Sequence, residues 1–501
     1  MADGWARVFA GFDGMEPPAD LWEQAVDRAA AGAARPRRAA WRWRIAALTA
    51  LAVAAVIGTG GALRGSAGGG ASGPAFRVDK FDYGAGSTPG QGDGSEPGRT
   101  YEVPQLGGVS AVSQSDAWIV GTQAHERAVP NGRTTQYVTW TQGVAWHWEG
   151  RSWSPVAVRA ARPDSQLMGV AAVSPQLAWA VGDWSTPPYG SVDTHPLIER
   201  WTGSGWAVDS TPAIPNGSLA AVSADSARDA WAVGSTLPAG TPSDRGVELV
   251  LHWTGRRWLR IGSPLRSPAT ATAVQALAPD DVWLVASGDT TGRRVYLQHW
   301  DGRRWALVRA PFGPHDPLLS FTALSATDAW AFGSYEGADG RSYSLAAHWN
   351  GRTWSIAPTP NQGEVFRRRH WITVPHSTPY TVNALTMSAS PGVWNVWALG
   401  TTQYTRSIAN PPNCRSPCIE IRGSNPAGLF AHWNGLRWQL LPPPPASLPG
   451  AFGNFTAIAP SGPSGLWVIG TNYFDNFIEL WNGHRWRTVP HPPDRTTLSS
   501  R

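Results

Sequence analysis

The sequence predicts an all-β fold, a seven-bladed β-propeller of four-stranded blades, preceded by one transmembrane helix and a short cytoplasmic segment. Three observations predict it. Tryptophan occurs 30 times in 501 residues. One phrase recurs seven times, and two of its tryptophans are five residues apart in every copy. A charge-free apolar stretch lies near the N-terminus, with arginines before it.

Composition sets the bounds. Hydrophobic residues make up 42% of the chain, enough to bury a core, and charged residues only 15%, against about 25% in ordinary soluble proteins. The net charge is +5, and Lys80 is the only lysine. A nucleic-acid surface would gather its cations on one element, so no nucleic-acid partner is expected. Cys414 and Cys418 stand close together and offer no disulfide framework.

Residues 1–44 are expected to form a cytoplasmic segment with a short helix, because Leu21, Trp22, Ala25, Val26 and Ala29 fall on one helical face. Residues 45–63 hold nineteen residues without a charge, about 28 Å as a helix and close to the hydrocarbon thickness. Arg35, Arg37, Arg38, Arg42 and Arg44 precede the stretch and a single Arg64 follows it. The positive-inside rule then puts the N-terminus in the cytoplasm and the rest outside, in a single-pass cell-membrane protein. A cleaved signal peptide is the alternative. The long region before the stretch favours a signal anchor, since a usual apolar signal core spans only about 7–15 residues. Residues 64–100, rich in Gly, Ser, Pro and Asp, form a flexible linker. The propeller is assigned to 101–495 and a tail to 496–501.

The repeat decides the fold. Each copy has an apolar run, then a phrase like D-A-W-A-V-G, a variable stretch, and H-W-N-G-x-x-W. The first tryptophans are Trp118, Trp179, Trp231, Trp283, Trp330, Trp397 and Trp467. The second are Trp148, Trp201, Trp253, Trp300, Trp349, Trp433 and Trp481, and the third lies five further on in each. Asn350-Gly351 between two short strand candidates marks a hairpin, which would set Trp349 opposite Trp354 as a cross-strand pair. Four short strands per copy, recurring at this period, suit propeller blades. No strand exchange between the first and last copies is evident, so closure is expected to rest on blade-to-blade packing.

A polar pair varies with the copies. Two residues before the first Trp stand Asp116, Leu177, Asp229, Asp281, Asp328, Asn395 and Gly465. Just before the second stand His147, Arg200, His252, His299, His348, His432 and Leu480. Histidine accompanies Asp or Asn and is lost with it. This predicts a structural hydrogen bond inside each blade and not a set of metal ligands, because equivalent sites around a ring do not converge.

In such blades the second-to-third connection and the exit open on one face. The long connections 122–143, 183–196 and 401–428 and the long exit 361–381 therefore share it, and binding usually resides in such loops. The candidate ligand face carries Trp140, Trp184, Tyr189, Tyr335, Tyr404, Tyr473 and the run Arg367, Arg368, Arg369, His370, Trp371. Aromatics with arginines can stack on sugars or grip an acidic polymer. Outside the cytoplasm, Cys414 and Cys418 can form a small local disulfide.

The phrases D-A-W-A-V-G and H-W-N-G-R-T-W resemble repeat proteins common in actinobacteria and, more broadly, the galactose oxidase/Kelch-like propeller superfamily, over about residues 106–490. That resemblance implies the architecture and no particular activity. The N-terminal segment loosely resembles the cytoplasmic tails of actinobacterial membrane regulators, including anti-sigma factors. Asp301-Gly302 lack the preceding serine of a sialidase box, and no paired carboxylates or Ser/His/Asp arrangement stands out. No catalytic, metal or cofactor site is assigned. The expected function is membrane-anchored, extracytoplasmic binding or scaffolding, for a cell-surface polymer or protein. The alternatives are a transmembrane sensor signalling through residues 1–44, and a glycan-active hydrolase or lyase.

Overall fold

The computed structural model describes residues 104–490, except 132–133, 160–163, 186–192, 239–245, 266–267, 289–293, 310, 312–317, 337–341, 358, 360–363, 368–369, 374–380, 390–395, 404, 410–418, 424–426, 446–453, 463–464 and 472–475. Within residues 126–139, 334–343, 361–395 and 401–429, and at 319 and 454, what is described is backbone. All described residues belong to one unit, Ala46–Arg501. Residues 1–103 and 496–501, with the expected helix and membrane segment, lie outside them. Among the described residues no helix is long and apolar enough to cross a membrane.

Seven antiparallel four-stranded sheets follow one another along the chain, at 105–156, 165–208, 217–260, 270–308, 318–357, 381–441 and 454–489. They are the seven blades, and each is built in strand order from first to fourth. The first strands neighbour one another all round the ring, including blade 7 with blade 1. The first strand is therefore innermost and the fourth outermost.

Seven apolar clusters hold the ring, each shared by two adjacent blades. The recurring phrase explains them. The first Trp of a blade is a knob, and its socket lies on the next blade. Trp179 packs among Ala230, Ala232, Trp253 and Trp258 of blade 3, and Trp118 among Ala178, Ala180, Trp201 and Trp206 of blade 2. Small residues flank the first Trp because the opposite face of that strand must admit the indole from the preceding blade. The last interface is built alike: Trp467 packs among Ala117, Ile119, Trp148 and Trp153. Closure rests on packing between blades 7 and 1, reinforced by Asn476 Nδ2 donating to Pro104 O at 2.6 Å and Arg487 over the Trp148 ring at 5.7 Å. Each sheet uses strands of its own blade only.

Two glycines of the repeat are fixed by backbone geometry. The first strand of every blade carries a register shift at the same place. In six blades the closing Gly of D-A-W-A-V-G lies opposite it, with Ala286 there in blade 4, and a Cβ on Gly234 would meet Ser218 O at 2.0 Å. The hairpin glycines, from Gly150 to Gly483, all adopt φ between 82° and 97°, which a side chain resists. Asn350 caps its hairpin, accepting the N–H groups of Arg352 (3.0 Å) and Thr353 (2.9 Å) on Oδ1.

Candidate binding face

Antiparallel order puts the second-to-third connections and the blade exits on one face, with the chain's approach to Gln105 and its departure from Val489. The first-to-second turns and third-to-fourth hairpins occupy the other.

The connections expected as long loops are largely β-ribbons. In blade 1 the second strand, Asp116–Asn131, and third strand, Thr134–Trp148, stay paired out to Asn131 and Thr134. The connection 401–428 contains paired strands Thr405–Ala409 and Ile419–Gly423, and the exit 361–381 contains Glu364–Arg367 paired with His370–Thr373. Backbone hydrogen bonding accounts for the difference, since each segment alternates well enough to pair with itself. Arg367 and Trp371 sit in the exit ribbon, and Tyr335 pairs with Tyr343 at the end of blade 5's second and third strands. Tyr189, Arg368, Arg369, Tyr404, Tyr473, Cys414, Cys418 and Asn395 lie outside the described residues.

The described part of the face centres on blades 1 and 2. In the blade 1 ribbon, Trp140 lies opposite His125 and stacks on it, with ring centroids 5.2 Å apart and an interplanar angle of 14°. On blade 2, Trp184 stacks on His195 at 4.3 Å, and Asp193 Oδ1 lies 3.1 Å from His195 Nε2. A polar node ties the two blades. Asp164, in the left-handed region at φ 67°, accepts the Thr141 hydroxyl (2.9 Å) on Oδ1 and the Ser185 hydroxyl (2.8 Å) on Oδ2. Thr141 and Ser185 are the chain neighbours of Trp140 and Trp184, so this carboxylate fixes the base on which both stacks stand. Below it, the buried Asp183 accepts Gln166 Nε2 at 3.0 Å and the Ser218 hydroxyl of blade 3 at 2.5 Å. Burial holds the Asp183 carboxyl above the usual carboxylate range, against the lowering effect of those two hydrogen bonds.

The site can offer planar rings to stack and imidazole nitrogens to hydrogen-bond, on a rigid base. Sequence reasoning singled out Trp140 and Trp184 but missed His125, His195, Asp164 and Asp183. Counting the pairing outward from Gly121 and Val144 would have set His125 against Trp140. Among the described residues no three His, Cys, Asp or Glu gather as metal ligands.

The Asp–His sets lie away from this face, beside the first-to-second turns. His Nε2 stands 3.3 Å from Asp116 Oδ1 in blade 1, 2.5 Å from Asp229 in blade 3, and 2.9 Å from Asp281 and Asp328 in blades 4 and 5. Each imidazole lies against the first Trp of its own blade; His252 stacks on Trp231 at 4.1 Å and 16°. Asp281 also reaches across the interface, accepting Ala326 N–H at 2.8 Å. In blade 2, where both members are missing, Arg200 Nε pairs with Asp209 at 3.0 Å, and Asp209 accepts Trp258 Nε1 of blade 3 at 3.2 Å.

A closed ring of seven four-stranded blades with no shared strand makes this chain a seven-bladed β-propeller. No protein family and no curated protein matches it. Among solved structures it is similar to YCF48 bound to a D1 peptide, at 13% identity over 78% of this chain and 94% of that one, TM-score 0.43. It is also similar to YCF48 from Cyanidioschyzon merolae, at 14% identity over 61% and 94%, TM-score 0.33. A further similarity is to the Aleuria aurantia lectin with α-methyl-L-fucoside, at 12% identity over 66% and 97%, TM-score 0.31. At these values neither ligand transfers to this chain.

Proposed function

We propose that this protein is a membrane-anchored, extracytoplasmic binding or scaffolding propeller, without catalytic activity, whose long-connection face takes a cell-surface polymer or protein. The observation that carries the reading is the pair of aromatic–imidazole stacks, Trp140–His125 and Trp184–His195, on adjacent blades and on a shared carboxylate base. Stacked rings with polar edges suit sugar rings and peptide side chains alike. The anchor rests on the charge-free residues 45–63 and the arginines before them.

The test is a screen of the full-length chain against cell-wall glycans and surface proteins. Trp140→Ala with Trp184→Ala should lower affinity for the captured ligand about a hundredfold, as losing two stacking anchors does, at unchanged Tm. Equal binding by the variant overturns the reading. Protease digestion of intact cells should remove the propeller and spare residues 1–44; the reverse pattern overturns the orientation.

A further inference from the structure

The face opposite the long connections carries a feature that the binding face does not explain. Six of the seven third-to-fourth hairpins present an exposed arginine one or two residues after the positive-φ glycine. Blades 1, 5, 6 and 7 contribute Arg151, Arg352, Arg437 and Arg485. Blades 3 and 4 fill both positions, with Arg256 and Arg257, and Arg303 and Arg304. With Arg228 of a first-to-second turn they make nine exposed arginines on this face, against three exposed carboxylates, Glu149, Asp280 and Asp301; the turn carboxylates Asp116, Asp229, Asp281 and Asp328 are less exposed and hydrogen-bonded to histidine. Asp301 Oδ1 is occupied by the N–H groups of Arg303 and Arg304, each at 2.9 Å.

The hairpins are rigid. Each turns on a glycine held in the left-handed region, packed against the first-to-second turn, as Gly255 is against Arg228 and Gly351 against Thr327. The second Trp of the repeat, which opens the hairpin, donates Nε1–H to that turn, Trp253 to Ala227 O at 3.2 Å and Trp349 to Ala326 O at 3.1 Å. The arginines thus stand at one or both of two turn positions around a fixed rim, blade 2 excepted, and each guanidinium is suited to a two-pronged grip on a phosphate.

We infer that this hairpin rim is a docking surface for a phosphate-bearing linear polymer, which follows the circumference of the ring from blade to blade. A bilayer fits the rim less well. Flat membrane contact wants apolar anchors beside the cations, and Leu436 is the one large exposed hydrophobic on the described hairpins; Val208, Leu307 and Ile356 lie on outer strands. The proposal concerns the face opposite the aromatic stacks and does not depend on the function proposed for them.

Linear inorganic polyphosphate is the probe, with the full-length chain and dextran as the uncharged control. Polyphosphate should bind and dextran should not. Affinity should fall by ~1,000-fold or more between 50 and 200 mM salt, as for other multi-phosphate contacts. Blade 2 supplies the neutral replacement, because its hairpin turns through Ser204-Gly205 with the same closing hydrogen bond, Thr202 N–H to Gly205 O at 3.1 Å. Changing Arg256→Ser, Arg257→Gly, Arg303→Ser and Arg304→Gly should weaken binding at least tenfold and flatten the salt dependence, at unchanged Tm. The same four changed to Gln provide a second set should the first fail to fold, and the same four changed to Lys, which keep the charge and lose the two-pronged grip, should bind more tightly than the Gln set and more weakly than the unchanged chain. No polyphosphate binding at low salt overturns the proposal. So does binding lost in an Arg367→Ser, Arg368→Ser, Arg369→Ser variant but kept in the hairpin variants. A loss seen only with phosphatidylglycerol vesicles would give the rim to a membrane, which also overturns it. Trp140→Ala with Trp184→Ala should leave polyphosphate binding intact, so the two readings fail separately.

Discussion

At the scale of the residue, a single indole does most to define this protein. In the five blades that carry the histidine, the first Trp is held between an imidazole of its own sheet and an aromatic pair of the next. Trp231 is fully buried, stacked on His252, and meets Trp305 edge-on at 5.5 Å. Removing it empties an inter-blade cavity, so Trp231→Ala should cost about 3–5 kcal/mol in denaturant unfolding. The partner carboxylate serves the imidazole. Asp229→Ala should cost about 1–3 kcal/mol, because it leaves the half-buried His252 nitrogen without its acceptor. Asp229→Asn should cost less than half as much, since an amide oxygen can still accept; blade 6 has Asn395 in this place. Equal losses for Ala and Asn would show that the hydrogen bond contributes nothing. The Asp–His association was legible in the sequence because the repeats could be compared with each other. Arg200–Asp209 was not, because Asp209 lies beyond the fourth strand, outside the repeated phrase.

At the scale of the element, backbone shape explains what the tryptophans do not. In blades 1, 2 and 3 the kink of the first strand brings a carbonyl against the second-strand glycine, so Gly234→Ala, with its new Cβ 2.0 Å from Ser218 O, should lower Tm; blade 4 has Ala286 at this place. Gly262→Ala, with nothing within 4 Å, should leave it unchanged. The third-to-fourth hairpins were readable from a glycine held between two tryptophans five apart, preceded by Asn in three blades, because their turn chemistry is local. The ribbons were read as loops because their strands pair only with themselves and lack the tryptophan phrase. The blade 1 ribbon should behave as an appendage. Replacing 126–139 by a two-residue Asn-Gly turn should preserve Tm, and circular dichroism should show a loss of strand without unfolding.

At the scale of the whole molecule, polar groups sealed between blades set the response to pH. Burial is the main cause holding the carboxyls of Asp183 and Glu248 above their usual range. Glu248 is buried with Gln298 Nε2 at 2.7 Å from Oε1 and the Ser263 hydroxyl on Oε2. A folded-state pKa above the unfolded one means that the folded chain binds more protons in between. These two groups therefore add stability as pH falls toward the ordinary carboxylate value, and that contribution is lost as pH rises through the raised value. The Tm of wild type relative to Asp183→Asn should climb as pH is lowered from 7 to 5. A flat or falling difference would contradict the burial argument. The sequence could not show this node, because Asp183, Gln166 and Ser218 come from three strands on two blades.

The first and last blades meet at an interface built like the other six, and no strand is lent across it. Eight residues separate Val156 from Ser165, and eight separate Val208 from Gly217. A linker of that length joining Val489 to Gln105 would repeat a junction the ring already makes twice. The starting point of the polypeptide is then arbitrary. A circularly permuted gene, opened between Arg260 and Thr270, should encode the same ring, with blade 4 translated first and blade 3 last.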